Sequence, residues 1–257
     1  MDSEKTRYFI FITFKGTSYH GWQIQSNALT VQHILEDSLS TILNEKISTT
    51  GAGRTDSGVH APVFCAHFDC SSPDLSLKNE IISRLNKFLP KDISAFRILK
   101  VLPEAHARFS AISRTYNYYI IKFKDPFQDG FSWFIQRELD LNAMNKASGL
   151  LLKFSDFTSF CKLHSDTKTN ICKVSQAHWE EKNGTLVFTI QADRFLRNMV
   201  RAIVGTLVEV GKGKISQQEF EEIIEAKDRC RAGRSAPAQG LFLTDIEYPE
   251  EIFIQLK

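Results

Sequence analysis

The sequence lacks long apolar runs and any large excess of charge of one sign. No run of apolar residues approaches the ~18 that a membrane-spanning helix requires, and the opening segment MDSEKTRYF has no apolar secretory core. The 32 lysines and arginines against 30 acidic residues give a net charge of +2. The net charge therefore does not indicate a nucleic-acid partner, and any basic surface must be local. We expect a soluble protein without a membrane segment.

Paired cysteines and cofactor-binding motifs are also missing. The five cysteines are odd in number, which favours a reducing, cytoplasmic location. Cys161, His164, Cys172 and His178 lie close in sequence but lack the tight pairs that are usual in structural zinc sites. Neither GAGRTDSG nor GKGK completes a phosphate-binding loop, and the motifs Gly-x-Ser-x-Gly and His-Glu-x-x-His are absent. We expect neither a metal nor a nucleotide cofactor.

The first hundred residues show one complete order of strands and helices. Residues 7–14 are aromatic and β-branched on both faces, as in a buried central strand. Apolar residues recur at helical spacing after Thr30, a suitable N-cap, and again over residues 77–88. The segments KISTTGAG, VFCAHFDC and ISAFRILKV predict strands. The order strand, helix, strand, strand, helix, strand is that of a ferredoxin-like α/β unit.

The second half repeats this order of elements without a repeat in sequence. After a turn-rich passage we predict strands at 115–124, 174–180, 185–192 and LFLTDIEY, and helices near 141–153, at about 195–210 and from the capping box of Ser216 and Glu219. The predicted fold class is α+β, with two ferredoxin-like halves whose antiparallel sheets flank a central cleft. We assign residues 1–105 to an N-terminal domain and residues 106–257 to a C-terminal domain.

The stretch GAGRTDSGVHAP, from Gly51 to Pro62, places Arg54 and Asp56 two residues apart in a turn rich in glycine. Glycines allow left-handed backbone angles and close approach of other atoms. One interpretation is a charged surface turn, because most exposed Asp and Arg residues are simply solvated. The other is a loop that holds the two charges in a fixed geometry for chemistry.

Arginines recur along the apolar segment RFLRNMVRAIVGTLVEVG. Arg194, Arg197 and Arg201 follow spacings of three and four, which on a helix places them along one edge of the apolar face. Arginines at such an edge can snorkel beside the core. Arg201 lies closest to the boundary of the buried face, where a guanidinium requires a carboxylate partner. Asp56 is a candidate for that partner.

Two further segments combine cations with aromatic or flexible residues. The strand SRTYNYYIIKF places Tyr116 and Tyr118 on one face. Such aromatics usually belong to the core, but beside Arg114 they also suit stacking on an unpaired base next to a phosphate. The segment KDRCRAGRSAPAQG predicts a flexible basic loop, which fits phosphate contact and a solvated loop nearly equally.

Four motifs together resemble one family. The motifs GAGRTDSGVHA, ARFSAISRTYNYYI, FLRNMVRAIVGTLVEVG and GLFL occur in the order and spacing of the tRNA pseudouridine synthase A family, and the similarity extends from GTSYHGWQIQ to LFLTDIEYP. The resemblance implies isomerisation of uridines at positions 38, 39 and 40 of the tRNA anticodon stem-loop. The bond from uracil N1 to ribose C1′ breaks, the base turns over while bound, and C5 joins C1′. This reaction uses no cofactor, and the chemical interpretation of the glycine-rich turn is then favoured.

The same resemblance implies a role for each matching residue. Asp56 is the catalytic carboxylate, which either attacks C1′ or removes a C2′ proton, and Arg201 pairs with it and keeps it ionised. Tyr116 packs against the target uracil, and Leu241 forms an apolar wall. Arg54 occupies the space that the extruded base leaves. We assign RNA-backbone contacts to Arg114, Arg194 and Arg197.

Two positions depart from the family pattern. Ser57 stands where alanine often follows the catalytic aspartate, and Ile24 stands where many members have arginine within GWQIQ. The second change removes a cation and with it one RNA contact. The family acts as a homodimer with tRNA lying across both subunits, so we expect a homodimer whose clustered cations form the RNA surface.

Two rival functions share some of these features. An RNA-binding protein without catalysis would use the same basic and aromatic surfaces, but it has no need for a carboxylate at Asp56 beside phosphates. A glycoside hydrolase also breaks a bond at an anomeric carbon, but it ordinarily uses a pair of carboxylates. The glycine-rich loop offers only Asp56, and Asp69 lies a strand away.

Overall fold

The computed structural model describes residues 5–75, 79–163 and 168–254, which form two compact units. The first unit contains the described residues as far as Ile112 together with those from Leu243 onward, and the second runs from Ser113 to Phe242. No helix in these described ranges is long and apolar enough to cross a membrane. The predicted division into an N-terminal domain of residues 1–105 and a C-terminal domain of residues 106–257 stays a prediction.

The first unit is built on a four-stranded antiparallel sheet. Its elements are β1 (Thr6–Phe14), α1 (Val31–Leu43), β2 (Thr49–Gly51), β3 (Ala61–Cys70), α2 (Asn79–Phe88) and β4 (Ile93–Lys100). The strand order is β2-β3-β1-β4, so that β1 lies between two partners. Tyr8, Phe9 and Ile10 are completely buried, because the strand is apolar on both of its faces. The prediction of a buried central strand is confirmed.

Local sequence signals set the ends of α1. The Thr30 side chain accepts a hydrogen bond from the His33 N–H at 3.4 Å, and Asn44 ends the helix in the left-handed conformation, with φ of 51°. Both are common capping arrangements, and the predicted helix with its Thr30 cap is confirmed. The second predicted helix is confirmed over Asn79–Phe88, and its predicted first residues, at about 77, lie outside the described residues.

The last part of the chain completes the first unit. The Leu102 N–H donates to the Ile252 carbonyl at 2.9 Å, and the Tyr248 hydroxyl donates to the Ala107 carbonyl at 2.6 Å. The ring of Tyr248 also meets Phe9 of the core edge-on, with the centroids 5.1 Å apart. This unit is therefore assembled from two separate pieces of sequence.

The second unit is built on a five-stranded sheet. Its elements are β5 (Ser113–Ile121), β6 (Trp133–Phe134), α3 (Leu141–Leu150), β7 (Val174–Lys182), β8 (Thr185–Ala192), α4 (Met199–Gly211), α5 (Gln217–Glu225) and the first two residues of β9 (Leu241–Glu247), a strand whose later residues belong to the first unit. The order is β6-β5-β8-β7, and β9 also pairs with β5. The predicted strands are confirmed. The sequence did not indicate β6, because two residues are too few to show alternation.

The long helix α4 begins later than predicted. We expected it from about residue 195, but Asn198 has a left-handed backbone, with φ of 66°, and the helix starts at Met199. A left-handed residue cannot continue a right-handed helix. Arg194 and Arg197 therefore lie in the connection that precedes the helix, and the prediction that they line its edge was wrong. Arg201 does lie on the helix.

The short helix α5 starts at the predicted capping box. The Ser216 side chain accepts from the Glu219 N–H at 3.1 Å, and the Glu219 carboxylate accepts from the Ser216 N–H at 2.7 Å. The two side chains thus satisfy two backbone donors that a helix start leaves without intrahelical partners. This prediction is confirmed.

His67 on β3 makes the stability of the first unit dependent on pH. Its Nδ1 accepts a hydrogen bond from the Ala107 N–H at 3.1 Å. Burial, followed by the charges of His106 and Arg7, lowers the pKa of His67 from 6.5 to about 4. The unfolded chain therefore binds this proton at a higher pH than the folded chain, and we expect stability to be complete above pH 6.5 and to fall between pH 6.5 and 4.

Thermal unfolding across this pH window checks the prediction. The variant His67→Gln retains an acceptor and cannot titrate, so its unfolding temperature should decline less than that of the unsubstituted protein. Equal declines in both proteins would assign the pH dependence to other groups.

Candidate active site

The loop between β2 and β3 carries Arg54 and Asp56. Arg54 is exposed and Asp56 is half-buried, whereas Thr55 between them is buried. The Val59 N–H donates to the Asp56 carbonyl at 3.2 Å and closes the turn. Gly58 has φ of 81°, a conformation that glycine adopts without steric cost. The loop is thus partly built into the unit, which distinguishes it from a simply solvated turn.

Residues 16–22 pack backbone to backbone against this loop. A Cβ atom on Gly16 would lie 2.0 Å from the carbonyl oxygen of Val59, and one on Gly21 would lie 2.2 Å from that of Thr55. Gly21 also has φ of 84°. The Gly16 N–H donates to Nδ1 of the buried His60 at 3.1 Å. Both glycines are therefore required for the close approach of the two segments.

Tyr19 fastens the same segment to the Asp56 loop. Its backbone carbonyl accepts from the Gly58 N–H at 3.4 Å and from the Ser57 hydroxyl at 3.1 Å. Its own hydroxyl donates to Asp92 Oδ1 at 2.5 Å, and burial, together with that carboxylate, raises the pKa of Tyr19. The Ser57 hydroxyl thus adds a hydrogen bond that an alanine at this position could not make.

Reasoning from the sequence did not single out Gly16, Tyr19 and Gly21 as parts of the site. The available signal was GTSYHGW, in which two glycines enclose an aromatic residue outside any predicted strand or helix. A second missed feature is the Thr55 hydroxyl, which is buried and has no hydrogen-bond partner among the described residues. Buried hydroxyls are nearly always paired, so this position beside Asp56 suits a contact with a bound molecule or water.

In the second unit, the two tyrosines of β5 have different environments. Tyr116 is half-buried and meets the ring of Phe195 edge-on, at 5.1 Å and 87°. Tyr118 is completely buried, and its hydroxyl donates to the Pro237 carbonyl at 2.8 Å. Burial raises the pKa of Tyr118. Tyr118 is thus a core residue, and Tyr116 retains accessible surface for a ligand.

Arg201 holds the connection that follows α5. Its Nε donates to the Ala236 carbonyl at 2.8 Å, and the Ala236 N–H donates to the Arg201 carbonyl at 2.9 Å. A Cβ atom on Gly205 would lie 1.8 Å from the carbonyl oxygen of Arg234, so the connection lies directly on α4. Arg201 and Tyr118 therefore bind neighbouring carbonyls of the segment that leads to Leu241.

The basic segment 227–240 is tethered along much of its length. Nη2 of Arg229 donates to the Ser235 hydroxyl at 3.0 Å, which also accepts from Nδ2 of Asn198 at 2.6 Å. The Gly233 N–H donates to the Thr206 hydroxyl at 2.9 Å. These bonds correct the expectation of a flexible loop, because side chains before and within α4 fix its backbone.

The remaining predicted residues lie on the strands and connections of the second unit. Leu241 begins β9 and is 5% exposed. Arg114 donates through Nη1 to the Asp193 carbonyl at 2.7 Å, and the Arg194 N–H donates to the Asp193 carboxylate at 2.7 Å. Arg197 is exposed. Asp193 thus brings Arg114 and Arg194 to one turn. The structure places Arg54 and Asp56 in the first unit, and Tyr116, Arg201 and Leu241 in the second.

No metal-binding arrangement occurs in the part of the chain that the structure describes. Among these residues, no three His, Cys, Asp or Glu side chains are grouped so that they could hold an ion. Of the four residues weighed as zinc ligands, His164 lies outside the described ranges, and Cys161 and Cys172 are buried cysteines that form no disulfide among the described residues. Burial raises the pKa of Cys172 to about 12, which opposes the thiolate form that zinc binds.

Comparison with known proteins gives one consistent result. A family model described as tRNA pseudouridine synthase matches residues 10–110 and 154–249, which include Asp56, Arg201 and Leu241. The tRNA pseudouridine synthase A of Bacteroides fragilis is 53% identical over 248 residues, covering 96% of this chain and 98% of the relative. The protein of the same name from Parabacteroides distasonis is 51% identical, with 96% and 98% covered.

A more distant relative matches over a similar length. The tRNA pseudouridine synthase A of Thermoanaerobacter pseudethanolicus is 39% identical over 242 residues, covering 93% of this chain and 98% of the relative. The matches thus extend over nearly the whole of each protein. The chain belongs to the tRNA pseudouridine synthase family of isomerases, which convert uridine to pseudouridine in tRNA.

Proposed function

We propose that this protein isomerises uridines 38, 39 and 40 in the tRNA anticodon stem-loop, with Asp56 as the catalytic carboxylate and without a cofactor. Family membership supports the reaction. The observation that supports Asp56 most directly is the construction of its loop, in which the backbone of residues 16–22 packs against the carbonyls of Thr55 and Val59. Such fixed positioning is what acid, base or nucleophilic catalysis requires.

In the proposed mechanism each residue acts on a different part of the bound nucleotide. Asp56 attacks C1′ or removes a proton from C2′, and either route requires its ionised form. Arg201 supplies the positive charge that favours this form. Tyr116 packs against the uracil, and Leu241 closes an apolar wall beside it. Arg54, which is exposed on the Asp56 loop, takes the place of the extruded base in the stem.

We also propose how the molecule is organised for this function. Both sheets support the assignment of two ferredoxin-like halves. The first sheet has the order β4-β1-β3-β2 and the second has β9-β5-β8-β7, so that in each sheet the fourth, first, third and second of these strands in chain order lie side by side. Residues 1–105 supply the aspartate, and residues 106–257 supply the tyrosine strand and the arginine helix. The protein acts in the cytoplasm as a homodimer, with Arg114, Arg194 and Arg197 on the RNA backbone.

Mapping of pseudouridine on a defined tRNA tests the proposal. Purified protein is incubated with an unmodified transcript that has uridines at positions 38 to 40, and pseudouridine is located by carbodiimide modification. We expect the unsubstituted protein to form pseudouridine, detected as carbodiimide-modified bases (marks), at those positions. We expect Asp56→Ala to form none. Marks confined to other positions would contradict the anticodon-stem assignment. Binding without marks on any tRNA would contradict catalysis and favour the rival RNA-binding function.

Arg201 is expected to affect catalysis through its charge and its position. Arg201→Ala removes the cation and the hydrogen bond to Ala236, and we expect kcat to fall by ~10–100-fold, since a charge-assisted hydrogen bond contributes ~1.5–3 kcal/mol. Arg201→Lys keeps the cation and should partly restore kcat. Equal losses of kcat in Arg201→Lys and Arg201→Ala would limit Arg201 to holding residues 236–237.

A further inference from the structure

A column of rings runs from the core of the first unit to an exposed phenylalanine. Phe9 is completely buried, and its ring centroid lies 6.3 Å from that of His67. The His67 and His106 rings are 4.6 Å apart, and those of His106 and Phe109 are 4.4 Å apart. Phe109 is 75% exposed. An exposed ring is thus supported by aromatic contacts that continue into the core.

The turn that carries Phe109 is fixed by hydrogen bonds to His106. Nδ1 of His106 accepts from the N–H groups of Arg108, at 3.1 Å, and of Phe109, at 3.3 Å. The His106 N–H donates to the Ser110 hydroxyl at 2.9 Å, and the Ser110 N–H donates back to the His106 carbonyl at 2.9 Å. The ring of Phe109 is therefore held in place before any ligand arrives, which reduces the entropy lost on binding.

The surroundings of this ring carry positive charge and a neutral imidazole. The Arg108 guanidinium carbon lies 5.4 Å from the centre of the Phe109 ring. Burial, and then the charge of Arg7, lower the pKa of His106, so its ring is uncharged at neutral pH. The carboxylate of Asp69 is paired with Arg7 by two bonds of 2.7 and 2.8 Å. A flat, exposed ring beside a cation suits a nucleobase and its phosphate.

We propose that Phe109 is a stacking platform for an unpaired base of the tRNA, with Arg108 beside the neighbouring phosphate. The proposal rests on the proposed function for the identity of the RNA, and it adds a contact to those assigned from the family motifs. Stacking on an aromatic side chain requires a base that is not enclosed in a duplex. The platform therefore binds a loop or an unpaired junction of the substrate.

Substitution at Phe109 with a matched control tests the platform. Phe127 is 90% exposed but lies in the second unit, so Phe127→Ala controls for the loss of an exposed ring. Binding of an unmodified tRNA transcript is measured for both alanine variants after equal thermal unfolding has been verified. We expect Phe109→Ala to weaken binding by about tenfold, as for the loss of one stacked base, and Phe127→Ala to leave it unchanged. Phe109→Trp should bind well, and its fluorescence should be quenched by the tRNA.

Several outcomes would overturn the platform. Equal affinity of Phe109→Ala and Phe127→Ala for tRNA would do so. The platform would also be overturned if Phe109→Ala lost as much affinity for a fully paired RNA hairpin as for tRNA. A change in sedimentation with unchanged tRNA binding would instead identify Phe109 as a contact between protein subunits. Mapping of pseudouridine on the same samples separates the two proposals. If the unsubstituted protein forms no pseudouridine but Phe109→Ala alone loses affinity for tRNA, the platform is retained and only the proposed isomerisation is overturned.

Discussion

Asp56→Asn is expected to abolish pseudouridine formation while tRNA binding persists. Asparagine has nearly the shape of aspartate, and the backbone bond from Val59 to the carbonyl of residue 56 does not depend on the side chain. The loop should therefore keep its conformation. Asparagine can neither attack C1′ nor accept a C2′ proton, so we expect turnover to fall by ~10⁴-fold or more, as when catalytic nucleophiles or bases are removed elsewhere.

Release of tritium from C5 of labelled uridine in tRNA, under single-turnover conditions, measures this loss. Binding of the same tRNA is followed in parallel, because an unfolded variant would lose both. Asp129→Asn, at an exposed aspartate, is the matched control and should turn over normally. Turnover by Asp56→Asn within tenfold of the unsubstituted protein would show that another group performs the chemistry.

Gly21→Ala is expected to cause the second large effect. Its φ of 84° is unfavourable for alanine, and the new methyl group would lie 2.2 Å from the carbonyl oxygen of Thr55. Strain and overpacking each cost ~1–3 kcal/mol, so we expect the free energy of unfolding to fall by roughly 2–6 kcal/mol. Because Thr55 precedes Asp56, the displacement should also lower kcat in the fraction that remains folded.

Denaturant unfolding and single-turnover kinetics together check this prediction. Gly53→Ala is the matched control for stability. Gly53 lies in the loop that carries Asp56, and a Cβ atom at Gly53 meets nothing within 4 Å. Its free energy of unfolding should change by less than ~1 kcal/mol. If the Gly21 variant were as stable as the Gly53 variant, residues 16–22 would not need their close approach to the loop.

Signals within one element allowed most of the fold to be predicted. Thr30 caps α1 and Ser216 caps α5 because each needs only a backbone donor three residues away. The central position of β1 follows from its apolar residues on both faces. In contrast, the start of α4 depends on Asn198, whose side chain binds Ser235 far along the chain. A pattern confined to the helix could not indicate that bond.

The candidate site likewise has residues that the sequence alone predicts and residues that only the folded chain reveals. Asp56 and Arg54 stand in a motif specific enough to be matched from sequence alone. Their supports Gly16, Tyr19 and Gly21 lie more than thirty residues earlier, and only the folded backbone brings them to the loop. The platform at Phe109 depends likewise on rings from separate strands and turns, so no spacing in the sequence could reveal it.

The two-piece construction of the first unit also determines when the loop that carries Asp56 is completed during synthesis. The chain leaves this unit after Ile112 and returns only at Leu243, whose N–H donates to the carbonyl of His60 at 3.0 Å. Domains generally fold from the amino terminus as the ribosome adds residues. Here the loop of Asp56 acquires this backbone bond only after the entire second unit has been translated. The Asp56 loop therefore cannot acquire all of its backbone hydrogen bonds before residue Leu243 has been synthesised.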